Sequence, residues 1–240
     1  MNIKKIWECF LNLLFPRRCA VCDGILQETK AGICPECRRK LVYIREPRCR
    51  KCGKQLLDEE EEYCAGCKGN QKNFDRGIVL FAYNDAMKKS IYRFKYANRR
   101  EYSRFYAAEI CRCLGKEIAR FSADAIVPVP LHKKRQKKRG YNQAELIAAQ
   151  VGQHMDIPVK TRLLIRSKNT KALKKMGRTE RENNLKKAFK IWENDVKLDT
   201  VIIIDDILTT GSTINEISGV LKEAGIKKVY FVALSSGAEL

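Results

Sequence analysis

The clearest hydrophobic pattern in the chain is the apolar run Val201–Ile204, which has polar residues on both sides. A run this short is typical of a strand buried on both faces of a parallel sheet. Asp205 and Asp206 follow it, and small hydroxyl residues then surround a glycine in Thr209–Thr213. The pattern predicts a strand, an acidic pair, a turn and an amphipathic helix. Apolar residues continue at helical spacing, at Ile214, Ile217, Val220, Leu221 and Ala224.

Apolar runs and helical patterns alternate through the rest of residues 71–240. Further strands are predicted at Gly77–Tyr83, Ala125–Val129, 159–165, Ala188–Trp192 and Lys227–Leu234. Helices are predicted at Met87–Tyr96, at Glu101–Phe121 and from Gln143 onward. Cys113 falls on the apolar face of the second helix and is expected in the core. Alternation of this kind predicts an α/β domain over residues 71–240 with a parallel, doubly wound sheet.

Residues 1–70 carry a different pattern, dominated by cysteine. Eight of the 11 cysteines form Cys-x-x-Cys pairs, at Cys19/Cys22, Cys34/Cys37, Cys49/Cys52 and Cys64/Cys67. Two such pairs complete a tetrahedral all-thiolate site, which mostly holds zinc. Disulfides are the competing interpretation, but no secretory signal is evident, and a reducing cytoplasm favours thiolates. We therefore expect a module with two structural Zn²⁺ ions. The spacing leaves open which pairs share an ion.

The segment Ile6–Phe15 is apolar but is interrupted by Glu8 and Asn12. Spanning a bilayer takes roughly 18 or more apolar residues, and no run in the chain approaches that length. We expect an N-terminal amphipathic helix that docks on the rest of the protein, no membrane span and a cytoplasmic location.

The formal net charge of +20 indicates polyanionic partners, which are phosphorylated metabolites, nucleic acid or an anionic membrane surface. Two basic segments stand out, HKKRQKKR at His132–Arg139 and the polar stretch Arg166–Arg181. The first could bind phosphates or could be a solvated loop.

The acidic pair and the turn after Val201–Ile204 have complementary chemistry. Backbone amides at a helix N-terminus can cradle a phosphate, and hydroxyl side chains add donors. Carboxylates one turn upstream can accept hydrogen bonds from the hydroxyls of a sugar. Together they suit a ribose 5-phosphate.

The segment VIIIDDILTTGST at Val201–Thr213 resembles the phosphoribosyl pyrophosphate (PRPP) motif of type I phosphoribosyltransferases. With VPVPLHKKRQKKRGYNQ and the paired cysteines, nearly the whole chain resembles the ComF family of competence-associated proteins. The resemblance implies a type I phosphoribosyltransferase-like domain, a zinc-binding N-terminal part and a role in natural transformation. Its implied partners are PRPP or a nucleotide, single-stranded DNA and a competence helicase.

The resemblance also implies roles for single residues. Asp205 and Asp206 would bind the ribose hydroxyls of PRPP. They are also the candidate catalytic residues if the protein transfers the phosphoribosyl group. Pro130, Arg139 and Gly140 would lie at the pyrophosphate, Arg166–Arg181 would close over it, and Mg²⁺ would bridge ligand oxygens. The 5′-phosphate would be held by Thr209, Thr210, Gly211, Ser212 and Thr213.

Two functions follow from these expectations. One is PRPP binding coupled to DNA uptake, and the other is an active Mg²⁺-dependent phosphoribosyltransferase of nucleotide salvage or metabolism. Only six residues follow the last predicted strand, so no C-terminal hood for a nucleobase is expected. A base pocket would then come from Gly77–Tyr96 or the cysteine module. Tyr92, Phe94 and Tyr96 could stack a base, although the helical spacing of Tyr92 and Tyr96 favours a place in the core.

Overall fold

A computed structural model of the chain describes residues 16–27, 31–167, 188–192 and 197–237. The predicted helix at Ile6–Phe15, Cys9, and residues 168–181 of the predicted closing segment lie outside the described residues.

A four-stranded parallel sheet forms the centre of the fold, as the alternating pattern predicts. The strands are β1 (Arg76–Ala82), β2 (Ala125–Pro128), β5 (Thr200–Leu208) and β6 (Lys228–Ser236). Their order is β1-β6-β5-β2, and β5 pairs with β6 over nearly its full length but with β2 only over Val201–Ile204. The main helices are α2 (Asp85–Tyr96), α3 (Tyr102–Arg120), α5 (Gln143–Met155) and α6 (Ser212–Glu223). Two short helices are α1 (Pro35–Lys40) and α4 (Lys133–Arg139).

Hydrophobic cores lie on both faces of this sheet. On one face α2, α3 and α5 pack on side chains such as Ile202 and Ile204 of β5. On the other face α6 packs on Val201 and Ile203. Both cores include cysteines of the N-terminal module, with Cys19 in the first and Cys49 in the second. The cysteine module is thus packed against both sides of the sheet.

The predicted strands at 159–165 and Ala188–Trp192 do not join the parallel sheet as strands. They form a separate antiparallel pair, β3 (Leu164–Arg166) and β4 (Phe189–Ile191). Short apolar runs specify that a segment is buried and extended, but they do not specify its partner.

Both edges of the sheet are paired with irregular segments. At β1, the backbone N–H of Ile44 donates to Leu80 and the N–H of Ala82 donates to Val42, at 2.9 Å each. At β2, Lys160 donates to Ile126 at 2.9 Å. An unpaired edge strand is a template for pairing with another chain, and these contacts cover it.

Three side chains differ from the sequence prediction. Cys113 is exposed rather than in the core, while Ile110 and Leu114 of the same helix are buried. Tyr92 and Tyr96 are also exposed, because the inner face of α2 is made by other residues of that helix. Those inner residues are Met87, Ser90, Ile91 and Phe94.

Within the part of the chain that the structure describes, no helix is long and apolar enough to cross a membrane.

Candidate functional site

The acidic pair lies near the carboxyl end of β5, which continues to Leu208 rather than ending before the acids. Successive side chains on a strand point to opposite faces of the sheet. Asp206 therefore points to the same face as Ile204, toward α2, and Asp205 points to the opposite face, as Ile203 does. The pair offers carboxylates on both sides of one strand end.

Lys95 of α2 forms an ion pair with Asp206. Its Nζ lies 2.8 Å from Oδ2 and 2.9 Å from Oδ1 of the carboxylate. Both side chains are largely buried, with 16% and 12% of their surface exposed. This buried ammonium places a positive charge beside the acidic pair that the sequence reasoning did not identify.

Asp205 occupies a different electrostatic environment. Burial, and then the adjacent Asp206 carboxylate, raise the pKa of Asp205 to about 7, while the Lys95 ammonium lowers it. Arg166 of β3 also lowers this pKa through its charge. Burial, and then the charge of Arg135, lower the pKa of Arg166 itself to about 10. Arg166 therefore stays charged at neutral pH.

The hydroxyl-rich turn follows β5 directly. Gly211 has a φ of 76°, a left-handed conformation that favours glycine, and it is the residue before α6. Thr210 Oγ1 lies 2.8 Å from Ser212 Oγ and accepts from the Ser212 backbone N–H at 3.4 Å. Thr209 is exposed and Thr213 is half-buried. The structure thus brings the turn and the N-terminus of α6 to the strand end that carries the acids.

The segment after β2 lies partly at the same edge. The Val129 N–H donates to Ile204 of β5 at 3.0 Å, so buried Pro130 lies next to the start of the acidic pair. The basic segment that follows is not a loop but the helix α4, which ends at Gly140 with a φ of 77°. Gly140 is exposed at the far end of α4.

Arg139 contacts α2 rather than the acids. Its Nη2 donates to Tyr96 Oη at 3.2 Å, and its Nη1 donates to Gln143 Oε1 at 2.9 Å. Tyr96 adjoins Lys95 in the chain but is exposed, so Arg139 contacts the outer side of α2.

The eight paired cysteines form two compact clusters. Neighbouring pairs combine, giving Cys19, Cys22, Cys34 and Cys37 in one cluster and Cys49, Cys52, Cys64 and Cys67 in the other. Within each cluster the sulfur atoms lie within 4.8 Å of one another. Cys111 and Cys113 belong to neither cluster.

These clusters fit tetrahedral zinc. Four sulfurs at about 2.3 Å from a zinc ion are about 3.8 Å apart. The Cys19–Cys34 and Cys52–Cys64 sulfur distances are 3.8 and 3.5 Å. Backbone N–H groups, such as that of Gly24 to Cys22 Sγ at 3.4 Å, donate to the sulfurs and favour the thiolate form.

Sequence reasoning missed Lys95 and treated Arg166 only as the start of a closing segment. Helical spacing could have placed Lys95 one residue from the inward-facing Phe94, but it could not have indicated Asp206 as its partner, 111 positions away.

Family comparisons match both parts of the chain. Residues 10–68 match the double zinc ribbon domain, and residues 137–239 match the phosphoribosyl transferase domain. The chain is similar to Competence protein F of Haemophilus influenzae, with 32% identity over 90% of this chain and 95% of that protein. It is 30% identical to Competence protein ComFC of Bacillus subtilis over 86% of this chain and 89% of that protein. It is 29% identical to DNA utilization protein YhgH of Salmonella typhimurium over 90% of this chain and 96% of that protein.

Among solved structures, the chain is similar to the allosteric regulatory enzyme of purine biosynthesis, with 19% identity and a TM-score of 0.35. That alignment covers 59% of this chain and 29% of the enzyme.

Three similarities agree. One relative is 32% identical along nearly its whole length. The cysteine pairs match a double zinc ribbon domain, and the acidic site falls within a phosphoribosyl transferase domain. The chain belongs to the ComF family of competence-associated proteins.

Proposed function

We propose that this protein binds PRPP at the carboxyl end of β5 and acts on single-stranded DNA during DNA uptake. One observation carries the first half: an acidic pair and a hydroxyl-rich turn at a helix N-terminus occupy consecutive positions on the same strand end. The names of the relatives, which refer to competence and to DNA utilization, support the second half.

The parts of PRPP match the parts of this site. The backbone amides at the start of α6 and the hydroxyls of Thr209–Thr213 would hold the 5′-phosphate. Asp205 and Asp206 would accept hydrogen bonds from the ribose hydroxyls. The pyrophosphate would lie toward Pro130, Arg139 and Gly140, and Mg²⁺ would bind with it and neutralise part of its charge.

The two ion-paired or buried cations have a role in this arrangement. Lys95 neutralises Asp206 before the ligand binds, and the charge of Arg166 on β3 lowers the pKa of Asp205. Both cations would remain to balance the phosphates of PRPP when the acids turn to ribose hydroxyls. The segment that continues from Arg166 would close over the ligand and exclude water.

Calorimetric titration of the protein with PRPP, with and without Mg²⁺, tests the proposal. Asp206→Asn should weaken binding by roughly 1.5–3 kcal/mol, the usual loss for a hydrogen bond to a charged group. The matched control is Asp199→Asn, because Asp199 lies at the amino end of the same strand and is 66% exposed. Equal PRPP affinity in parent and Asp206→Asn would show that the ribose assignment is wrong.

A second titration addresses the DNA. Affinity for single-stranded DNA should fall as the salt concentration rises. The slope of log affinity against log salt should steepen by about 0.7 for each phosphate that the protein neutralises. Absence of salt-dependent affinity, together with turnover of PRPP with a free base, would favour a phosphoribosyltransferase of nucleotide metabolism.

A further inference from the structure

The outer face of α2 carries two exposed tyrosines. Tyr92 and Tyr96 are 62% and 51% exposed, and their ring centroids lie 5.0 Å apart. They are one helical turn apart, with exposed Lys88 one turn earlier. The core does not need these rings, since Phe94 between them is fully buried against Tyr106.

This aromatic face continues into a basic one through Arg139. Its guanidinium carbon lies 5.1 Å from the centroid of the Tyr96 ring, which is a cation–π distance. Arg139 is the last residue of α4, whose sequence KKRQKKR has six basic residues in seven. Among the described residues, no carboxylate forms an ion pair with the lysines of α4.

We propose that Tyr92 and Tyr96 form a stacking platform for the bases of a single DNA strand whose phosphates follow α4. This inference rests on the proposed function and deepens it by naming the surface that binds the DNA. Proteins that bind single strands without sequence preference combine a basic track with aromatic rings on which bases stack. Charge selects the occupant, because an apolar protein segment would gain nothing from the lysines beside the rings.

The platform borders the PRPP site, and the two share Arg139, which contacts Tyr96 and is also a proposed pyrophosphate contact. Lys95 lies between Tyr92 and Tyr96 in the chain but turns inward to Asp206, whereas the two tyrosines point outward. One helix thus contributes its inner side to the acidic site and its outer side to the platform.

Binding of two labelled strands of equal length tests the platform, one of thymidylates and one of abasic sites. Both strands carry the same phosphates, so only the bases distinguish them. The parent should bind the thymidylate strand more tightly, by about 5- to 150-fold for each stacked base. Combined Tyr92→Ala and Tyr96→Ala should remove that preference, while affinity for the abasic strand and its salt dependence stay as in the parent.

Three controls make the result specific. Tyr63→Ala removes a tyrosine that is 41% exposed on the cysteine module and should leave the preference intact. Combined Tyr92→Phe and Tyr96→Phe keeps both rings and should also retain it. Thermal unfolding of each variant establishes that the fold is unchanged.

The outcomes separate the platform from the proposed function. A parent that binds both strands equally overturns the platform and leaves DNA binding standing. A parent that binds neither strand overturns both, whereas its PRPP titration still decides the acidic site. Alanine variants that lose affinity equally for both strands, or phenylalanine variants that lose the preference, would also refute stacking.

Discussion

Replacing Asp205 with asparagine should stabilise the folded protein at neutral pH while harming its ligand site. The pKa of this carboxyl rises from 3.8 to about 7 on folding, through burial first and then through Asp206. Each pKa unit corresponds to about 1.36 kcal/mol, so the ionised carboxylate costs the folded state at most about 4 kcal/mol. Asparagine keeps the shape and the oxygen that accepts from the Asp206 N–H, at 2.8 Å in the parent, but it carries no charge.

The pH dependence has a definite sign. Below pH 3.8 the carboxyl is protonated in both states, and the cost is absent. Between 3.8 and about 7 the unfolded chain ionises while the folded protein keeps its proton, so the parent loses stability as pH rises. Above about 7 the carboxyl is ionised in both states and the full cost is present. The gain from Asp205→Asn should therefore grow with pH and level off above 7.

Urea unfolding of parent and variant at pH 5.5, 6.5, 7.5 and 8.5 measures this difference. From pH 5.5 to 7.5 it should increase by roughly 2 kcal/mol. Any loss of metal at the acidic end affects both proteins and cancels in the comparison. Asp199→Asn, which changes an exposed carboxylate, should show no such increase. A difference that is independent of pH, or a variant less stable at pH 8.5 than the parent, would refute the reasoning.

Two further predictions concern the cysteine module. Elemental analysis should find about two zinc ions per chain. Cys37→Ser should reduce the zinc content to about one ion, and the control Cys113→Ser should leave it unchanged. Freshly purified protein with four disulfides and no metal would contradict the zinc assignment. Gly53→Ala should lower the free energy of unfolding by roughly 2–4 kcal/mol, because Gly53 has a φ of 72° and its added Cβ would lie 2.7 Å from the Gly77 carbonyl oxygen. Gly69→Ala is the control, with a φ of 67° but nothing within 4 Å, and an equal loss in both variants would show that the contact with β1 is unimportant.

The sequence predicted best those elements whose conformation depends on residues that are neighbours in the chain. The run Val201–Ile204, the acids and the hydroxyl-rich turn are adjacent in the chain, and each has a strong conformational preference of its own. The four cysteine pairs are equally local, and the choice between shared and interleaved sites was settled only by folding. Neighbouring pairs combine in both clusters.

The elements that were missed depend on tertiary packing. Tyr92 and Tyr96 are exposed because a different side of α2 faces the sheet. That buried side is formed by the apolar residues Met87, Ile91 and Phe94. The antiparallel pairing of β3 with β4 depends on partners rather than on the apolar pattern of either strand. Lys95 reaches Asp206 only because α2 packs across the end of β5, and no spacing rule connects residues so far apart.

The segment between the two cysteine clusters has a consequence for the behaviour of the metal-free protein. Val42 and Ile44 supply the backbone bonds that cover the outer edge of β1, and a cysteine cluster holds this segment at each of its ends. Removal of zinc would release the segment and open one side of the parallel sheet. In a metal-starved cell the protein would then be prone to pair edge to edge with its own copies.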